Sequence, residues 1–233
     1  MSNADLYSDG TYSNNNPNWH SEDSEWKSKE IFTMIEKNSL LPNSIVEVGC
    51  GFGGILANIQ SKLSNINSYV GYDVSGHAIE YAKLKQENHK IKFINKYILK
   101  EDVFFDLLLC IDVVEHIENP YEFLRELKDK SNFKIFHFPL DMNALAVARS
   151  GRMLEVKNTV GHINYYTKDL ALEILKDCGY EVIDSFYTTG SIKSKNKSTK
   201  NAIIKPIRRL GYFLNKDLFV RLLGGFSLLV LAK

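Results

Sequence analysis

The chain has 233 residues, of which 44% are hydrophobic and 24% charged, so it can bury one substantial core but is short for two domains. A formal net charge of +1 gives no overall attraction to nucleic acid or an anionic membrane, and leaves open a local basic patch. We expect a cytoplasmic protein, because the sequence opens without a basic-then-apolar signal and its last apolar run, 226–232, is too short to span a bilayer. Three cysteines in unrelated contexts indicate reduced thiols: Cys50, Cys110 and Cys178.

The first thirty residues are polar and rich in aromatic side chains without a core period. We interpret residues 1–30 as an arm or lid over a pocket, with simple packing of the arm on the domain as an equal alternative. The main domain is then 31–233, and its first helical pattern runs from 29 to 35. The aromatic and imidazole side chains of the arm are Tyr7, Tyr12, Trp19, His20 and Trp26.

A glycine-dense turn follows the first predicted strand, 44–48, and opens a helix. Such a turn lets the backbone approach a bound molecule closely. Its spacing meets both the dinucleotide fingerprint and the pattern of S-adenosylmethionine (SAM) binding turns. A carboxylate two positions before the first glycine favours SAM, because that cofactor carries a cationic α-amino group. The candidate cofactor residues are Glu47, Gly49, Cys50, Gly51 and Gly53.

The second strand, predicted over 68–74, ends at a carboxylate. Asp73 could accept both ribose hydroxyls of a nucleoside held over the glycine turn, or cap the helix that follows Ser75. We count Asp73 and its neighbour Val74 with the candidate cofactor-binding residues. After a third strand, 91–94, Tyr97 would flank the adenine edge.

The fourth strand, predicted over 104–111, is nearly continuously apolar and therefore central in a parallel sheet. It leads into Asp112, Glu115 and His116, which would share one face if the following residues turn helically. We count Asp112 with the cofactor-binding residues. His116 could accept a proton near neutral pH, or fix the loop through a hydrogen bond.

Asn119 and Pro120 start another helix, and a fifth strand is predicted over 133–138. His162 then falls in a later strand-end loop, where it could face His116, or pack and hydrogen-bond the loop. Together with the carboxylates of the previous segment, the two imidazoles could hold a divalent cation such as Mn²⁺, Fe²⁺ or Zn²⁺.

The last third predicts a helix capped by Thr167, a sixth strand over 180–187, a mobile loop over 190–201 and a basic amphipathic segment over 202–223. The closing run, 226–232, fits an antiparallel strand. Strands alternating with helices predict an α/β fold with a doubly wound, mostly parallel sheet.

These motifs together resemble the class I SAM-dependent methyltransferases, in particular the ubiquinone-biosynthesis-like and glycan-cluster members. The resemblance spans about residues 30–187 plus the closing strand, and it implies a seven-stranded sheet whose last strand is reversed. Similarity to small-RNA 2′-O-methyltransferases, which bind metal through a Glu-x-x-Glu-His segment and a later His, raises the cation hypothesis; here Asp112 replaces the first Glu.

The expected function is methyl transfer from SAM to a small molecule or glycan precursor, with oxygen as the first choice of acceptor atom and nitrogen as the second. Glu115, His116 and His162 are the candidate catalytic residues, and the sequence leaves the metal and the oligomeric state open. An NAD-dependent oxidoreductase and a non-catalytic SAM-binding module, using the basic segment 205–221 to hold a partner, are the alternatives.

Overall fold

A computed structural model describes residues 21–63, 65–85, 90–190 and 199–233. Its seven strands form one sheet in the order β3-β2-β1-β4-β5-β7-β6, in which β7 runs antiparallel to both neighbours and the other pairs are parallel. The predicted α/β fold with a reversed last strand is confirmed. The strands are β1 (Ser44–Val48), β2 (Ser68–Asp73), β3 (Ile91–Asn95), β4 (Phe105–Ile111), β5 (Ser131–Pro139), β6 (Val182–Thr188) and β7 (Ser227–Ala232).

Helices cover the sheet and its edges. Short 3₁₀ turns at Ile98–Lys100 and Val114–His116 follow β3 and β4. Helices among the described residues include α1 (Ser21–Lys37), α2 (Gly54–Lys62), α3 (Gly76–Lys85), α4 (Pro120–Lys128), α5 (Ala144–Ala148), α6 (Arg152–Val160), α7 (Lys168–Asp177), α8 (Thr199–Leu214) and α9 (Lys216–Leu223).

The apolar run of β4 is explained by burial on both faces of the sheet. Leu107 and Leu109 pack in the cluster that includes α1 and α2, whereas Leu108 and Cys110 pack in the cluster that includes α4 and α7. Because alternate residues of a strand point to opposite faces, a strand covered on both faces is apolar along most of its length. All three cysteines are buried free thiols.

Helix starts predicted from capping residues are present. The side chain of Asn119 accepts from the Glu122 amide ahead of Pro120, and Thr167 accepts from the Leu170 amide at the start of α7. Ser75 caps α3 in the same way. The sequence interpretation missed α5 and α6, and it began the first helix at 29 instead of Ser21, because the first half of α1 carries few apolar residues.

The predicted boundary between arm and domain at residue 30 falls inside α1, so the end of the arm is built into a helix of the domain. Residues 1–20 of the arm and 191–198 of the predicted loop lie outside the described residues, whereas 199–201, also predicted as loop, belong to α8. Within the part of the chain that the structure describes, no helix has the length and apolar character needed to cross a membrane.

Candidate active site

The glycine turn lies between β1 and α2 with three glycines in the left-handed region, at φ values of 68°, 52° and 76°. A Cβ on Gly49 would lie 2.5 Å from Val113 Cγ2, and one on Gly53 would lie 2.3 Å from Phe93 Cζ, so both positions require glycine. A Cβ on Gly51 would meet no described atom within 4 Å. The backbone at Gly51 therefore faces open space at the carboxyl edge of the sheet.

Asp73 lies beside this turn at the end of β2. One of its carboxylate oxygens accepts from the Gly51 amide and the other from the Ser75 amide, each at 2.8 Å. Burial raises the pKa of Asp73, and these hydrogen bonds oppose that rise. Each oxygen keeps a second lone pair, so the carboxylate can hold the turn and still accept from a ligand.

Glu47 is almost completely buried one strand away, and its Oε2 has no hydrogen-bond partner among the described residues. Burial raises the pKa of Glu47 well above its usual value, while the positive charge of Lys27 and the Leu56 amide oppose the rise. A buried carboxylate oxygen without a partner costs free energy unless a ligand satisfies it. Oε2 of Glu47 could accept a hydrogen bond from the cationic amino group of SAM, and the open space at Gly51 leaves room for the cofactor.

Lys27 was not predicted as a site residue. It extends from α1 toward the same edge, and its Nζ lies 2.7 Å from Oδ2 of Asp112. Burial alone would lower the pKa of Lys27, but Asp112, with Asp23 and Glu115, raises it above its usual value. Lys27 could not be singled out from the sequence, because α1 contains several lysines and only the packing of the helix decides which of them points toward the site.

Asp112 does not share a face with Glu115 and His116, so that prediction was wrong. Its φ of 54° turns the chain sharply after β4, and its carboxylate pairs with Lys27 and, at 2.5 Å, with Nδ1 of His137. Burial would raise the pKa of Asp112, but His137 and Lys27 hold it well below its usual range. The Asp112 carboxylate is thus held in an ion-pair network with Lys27 and His137.

The three predicted catalytic side chains do come together. Glu115, His116 and His162 offer one ligand atom each, and these atoms lie within 4.8 Å of one another. Nε2 of each imidazole lies 3.9 to 4.0 Å from Oε1 of Glu115, too far for a hydrogen bond. Among the described residues, neither oxygen of Glu115 has a hydrogen-bond partner. Burial, with Asp112 next, raises the pKa of Glu115 well above its usual value.

The two imidazoles are held in defined orientations. Nδ1 of His116 donates to the Gly161 carbonyl at 3.0 Å, and Nδ1 of His162 donates to Oδ2 of Asp141 at 2.6 Å. Each neutral ring then carries its lone pair on Nε2, on the side of Glu115. Burial, followed by the charge of His162, lowers the pKa of His116 to about 4. Asp141 was missed, although its place just after β5 could have marked it as a strand-end carboxylate.

The remaining predicted cofactor residues lie around the turn. Val74 and Tyr97 are exposed at the ends of β2 and β3. The Cys50 side chain is buried against Gly71, so only its backbone could contact a cofactor. Trp26 of the predicted lid packs its ring against His137, with ring centroids 5.9 Å apart.

The sheet order with an antiparallel seventh strand, and a glycine turn flanked by Glu47 and Asp73, define the class I SAM-dependent methyltransferase fold. The methyltransferase domain family matches residues 19–185, so the chain belongs to that family. The NAD-dependent oxidoreductase alternative is thereby excluded.

Solved structures support the fold. The plantazolicin methyltransferase BpumL, solved with a substrate analogue and S-adenosylhomocysteine (SAH), has a TM-score of 0.61 at 21% identity, covering 99% of this chain and 92% of its own. A magnesium protoporphyrin IX methyltransferase from Synechocystis PCC 6803 with bound SAH has a TM-score of 0.60 at 15% identity, covering 89% and 81%.

Curated relatives match over shorter stretches. A mitochondrial ubiquinone biosynthesis O-methyltransferase from Candida albicans is 36% identical over 112 residues, which are 45% of this chain and 32% of that protein. The Glaesserella parasuis ubiquinone biosynthesis O-methyltransferase is 28% identical over 102 residues, covering 40% and 42%. The matched stretches therefore span only 32% and 42% of the length of these relatives.

Proposed function

We propose that this chain catalyses methyl transfer from SAM to a hydroxyl oxygen of a small molecule or glycan precursor. The pair of His162 and Asp141 at the carboxyl edge of the sheet is the observation that carries the proposal. A hydroxyl must lose its proton as its oxygen attacks a methyl group, whereas a neutral amine attacks through a lone pair it already has. An oriented base is therefore of most use to an oxygen acceptor. The two curated relatives, from Candida albicans and Glaesserella parasuis, are O-methyltransferases, which supports an oxygen acceptor.

The residues around the glycine turn would hold the cofactor, which supplies a methyl group activated by a positive sulfur. Asp73 accepts from the ribose hydroxyls, and Val74 and Tyr97 border the adenine. Glu47 accepts from the α-ammonium. Lys27 binds the carboxylate, because the ammonium and the carboxylate of an amino acid share one carbon and a carboxylate needs a cation nearby.

His162 would take the acceptor proton on Nε2, while Asp141 fixes its tautomer and stabilises the imidazolium that forms. His116, whose pKa lies near 4, stays neutral at physiological pH and is a weaker base. We assign it to positioning the acceptor together with Glu115. Most of the rate acceleration then comes from holding donor and acceptor in line.

The test starts with calorimetry, in which SAH should bind and a nicotinamide dinucleotide should not. Transfer of a radiolabelled methyl group from SAM is then measured with sugars, nucleotide sugars, phenols, quinone precursors and amines. Labelling of a hydroxyl compound that is lost in His162→Ala supports the proposal. Binding of SAH without transfer to any compound of this panel would favour the non-catalytic SAM-binding module.

A bound divalent cation is a second candidate for activating the acceptor, and the cluster of buried Glu115 with the partly buried His116 and His162 favours it. One carboxylate and two imidazoles form a donor set that suits Mn²⁺, Fe²⁺ or Zn²⁺, and both oxygens of Glu115 are without partners. A cation there would lower the pKa of the acceptor hydroxyl. Elemental analysis of the purified protein, and activity after chelation and re-addition of each metal, separate this mechanism from base catalysis.

A further inference from the structure

The helix α8 presents its apolar side chains to solvent. Leu210, Phe213 and Leu214 are 63%, 87% and 70% exposed, and Ile207 is 52% exposed. Their spacing of three, four and seven residues places them on one face of the helix. A surface helix of a globular protein normally turns such a face toward the core. This helix therefore has an apolar face that the described part of the chain leaves uncovered.

The opposite face of α8 is the one that packs on the protein. Tyr212 stacks on Phe226 with the rings 11° apart, and Nη2 of Arg208 donates to the Leu223 carbonyl at 2.9 Å. A Cβ on Gly211 would lie 1.9 Å from Phe219 Cδ1, so α8 approaches α9 closely there. The orientation of α8 is thus fixed by its contacts, and the outward direction of the apolar face follows from it.

The charged residues of the segment 199–223 are mostly basic. The sequence of α8 contains no acidic residue, and the only acid in the segment 199–223 is Asp217, which pairs with Lys168. Arg209 is exposed beside the apolar face, whereas Arg221 on α9 is paired with Asp169. The cations of the segment whose side chains the structure describes are Arg208, Arg209, Lys216 and Arg221.

We propose that the outward face of α8 docks on an anionic lipid surface. Apolar side chains of an amphipathic helix insert at the boundary between headgroups and acyl chains, and cations beside them bind anionic headgroups. A second copy of this chain fits the face less well, because the charged side chains of α8 itself are all cations and two such helices would repel each other.

Docking through α8 would also bring the candidate active site near the headgroups. The segment α8–α9 connects β6 to β7, and β6 ends at Thr188, whose hydroxyl is 2.8 Å from Nε2 of His137 at the carboxyl edge of the sheet. Helix α9 packs on α5, which follows β5 at that edge. An acceptor embedded in or attached to the lipid surface would then lie within reach of the site.

Flotation of the full chain with vesicles tests the inference, using phosphatidylcholine alone and phosphatidylcholine containing about one quarter phosphatidylglycerol. The protein should float with the anionic vesicles, less so at high salt, and stay behind with the neutral ones. Phe213→Glu and Arg209→Glu should each lower the bound fraction at least severalfold. Leu84→Glu on α3, which is 79% exposed outside the segment, is the matched control and should bind as the wild type does.

Three outcomes would overturn the proposal. These are wild-type protein that stays unbound to anionic vesicles, Phe213→Glu protein that floats as well as the wild type, and a wild-type dimer that Phe213→Glu converts to monomer without changing flotation. Thermal melting of each variant checks that it is folded. The experiment uses no SAM, so its result is independent of the proposed methyl transfer.

Discussion

Lys27 Nζ lies 2.7 Å from Asp112 Oδ2, and this ion pair ties the first helix of the domain to the end of the central strand. The same Asp112 binds His137, whose other ring nitrogen contacts Thr188 on β6. A network thus runs from α1 across the ends of β4, β5 and β6. It places the partly buried cation of Lys27 where its charge opposes the rise that burial causes in the pKa of Glu47, at the end of the proposed cofactor site that would hold the amino-acid part of SAM.

Lys27→Met should weaken SAH binding about 10- to 100-fold, the usual effect of losing one hydrogen bond to a charged group. The affinity for 5′-methylthioadenosine should stay unchanged, because this compound has the nucleoside and the sulfur but no carboxylate. Calorimetry with both ligands measures the difference. Lys29→Met, at an exposed lysine of the same helix, is the control and should bind both as the wild type does. Equal losses for the two ligands would show a general disturbance of the site instead.

His162→Ala should lower kcat by roughly 10²- to 10⁴-fold, the range for a general base, with SAH affinity unchanged. Asp141→Asn should also lower kcat, because an amide that donates to Nδ1 stabilises the wrong tautomer of His162. Initial rates with the acceptor found in the methyl-transfer screen, together with SAH calorimetry, provide both readouts. Full activity in either variant would remove the proton transfer assigned to this pair.

Gly51→Ala and Gly53→Ala should separate cofactor binding from stability. Both glycines have positive φ, so each alanine costs about 1–2 kcal/mol in the left-handed region. Only the alanine at position 53 also meets a protein side chain, that of Phe93, so this variant should melt at the lower temperature. Alanine at position 51 points toward the ligand side and should weaken SAH binding at least about tenfold, or 1.4 kcal/mol. Thermal melting and SAH calorimetry are compared for both variants, and unchanged SAH affinity in Gly51→Ala would contradict the assignment of the open face.

Lys134→Met should stabilise the protein by about 1 kcal/mol, or roughly 2–4 °C in Tm, because it removes a buried charge from β5. Burial lowers the pKa of Lys134 to about 8, whereas an unfolded lysine titrates near about 10.4. Between these values the unfolded chain binds more protons, so wild-type stability should rise with pH in that window.

Denaturant unfolding from pH 7 to 10.5 checks this dependence, which should be weaker in Lys134→Met. Lys92→Met, at an exposed lysine of β3, is the control and should follow the wild-type curve. A steeper or unchanged slope in Lys134→Met would contradict a neutral Lys134 at high pH.

Most strands and several helices could be predicted from the sequence because their signals are local, whereas the seven-stranded sheet was implied by the family resemblance and the strand order came from the structure. The continuous apolar run of β4 requires cover on both faces, and Asn119, Pro120 and Thr167 mark helix starts through hydrogen bonds within one turn. Helices α5 and α6 were missed, since they are short and bury few side chains. The positions of the glycine turn, Glu47 and Asp73 follow from the order of strands and helices alone.

By itself, the sequence determined that a cofactor turn, two carboxylates and two histidines fall at strand ends, and that parallel strands bring those ends to one edge. Only the tertiary structure decided that Asp112 turns away to Lys27 and His137, that Asp141 orients His162, and that α8 shows its apolar face to solvent. These relationships join residues far apart in the chain. They depend on side-chain direction and burial, which spacing along the sequence does not encode.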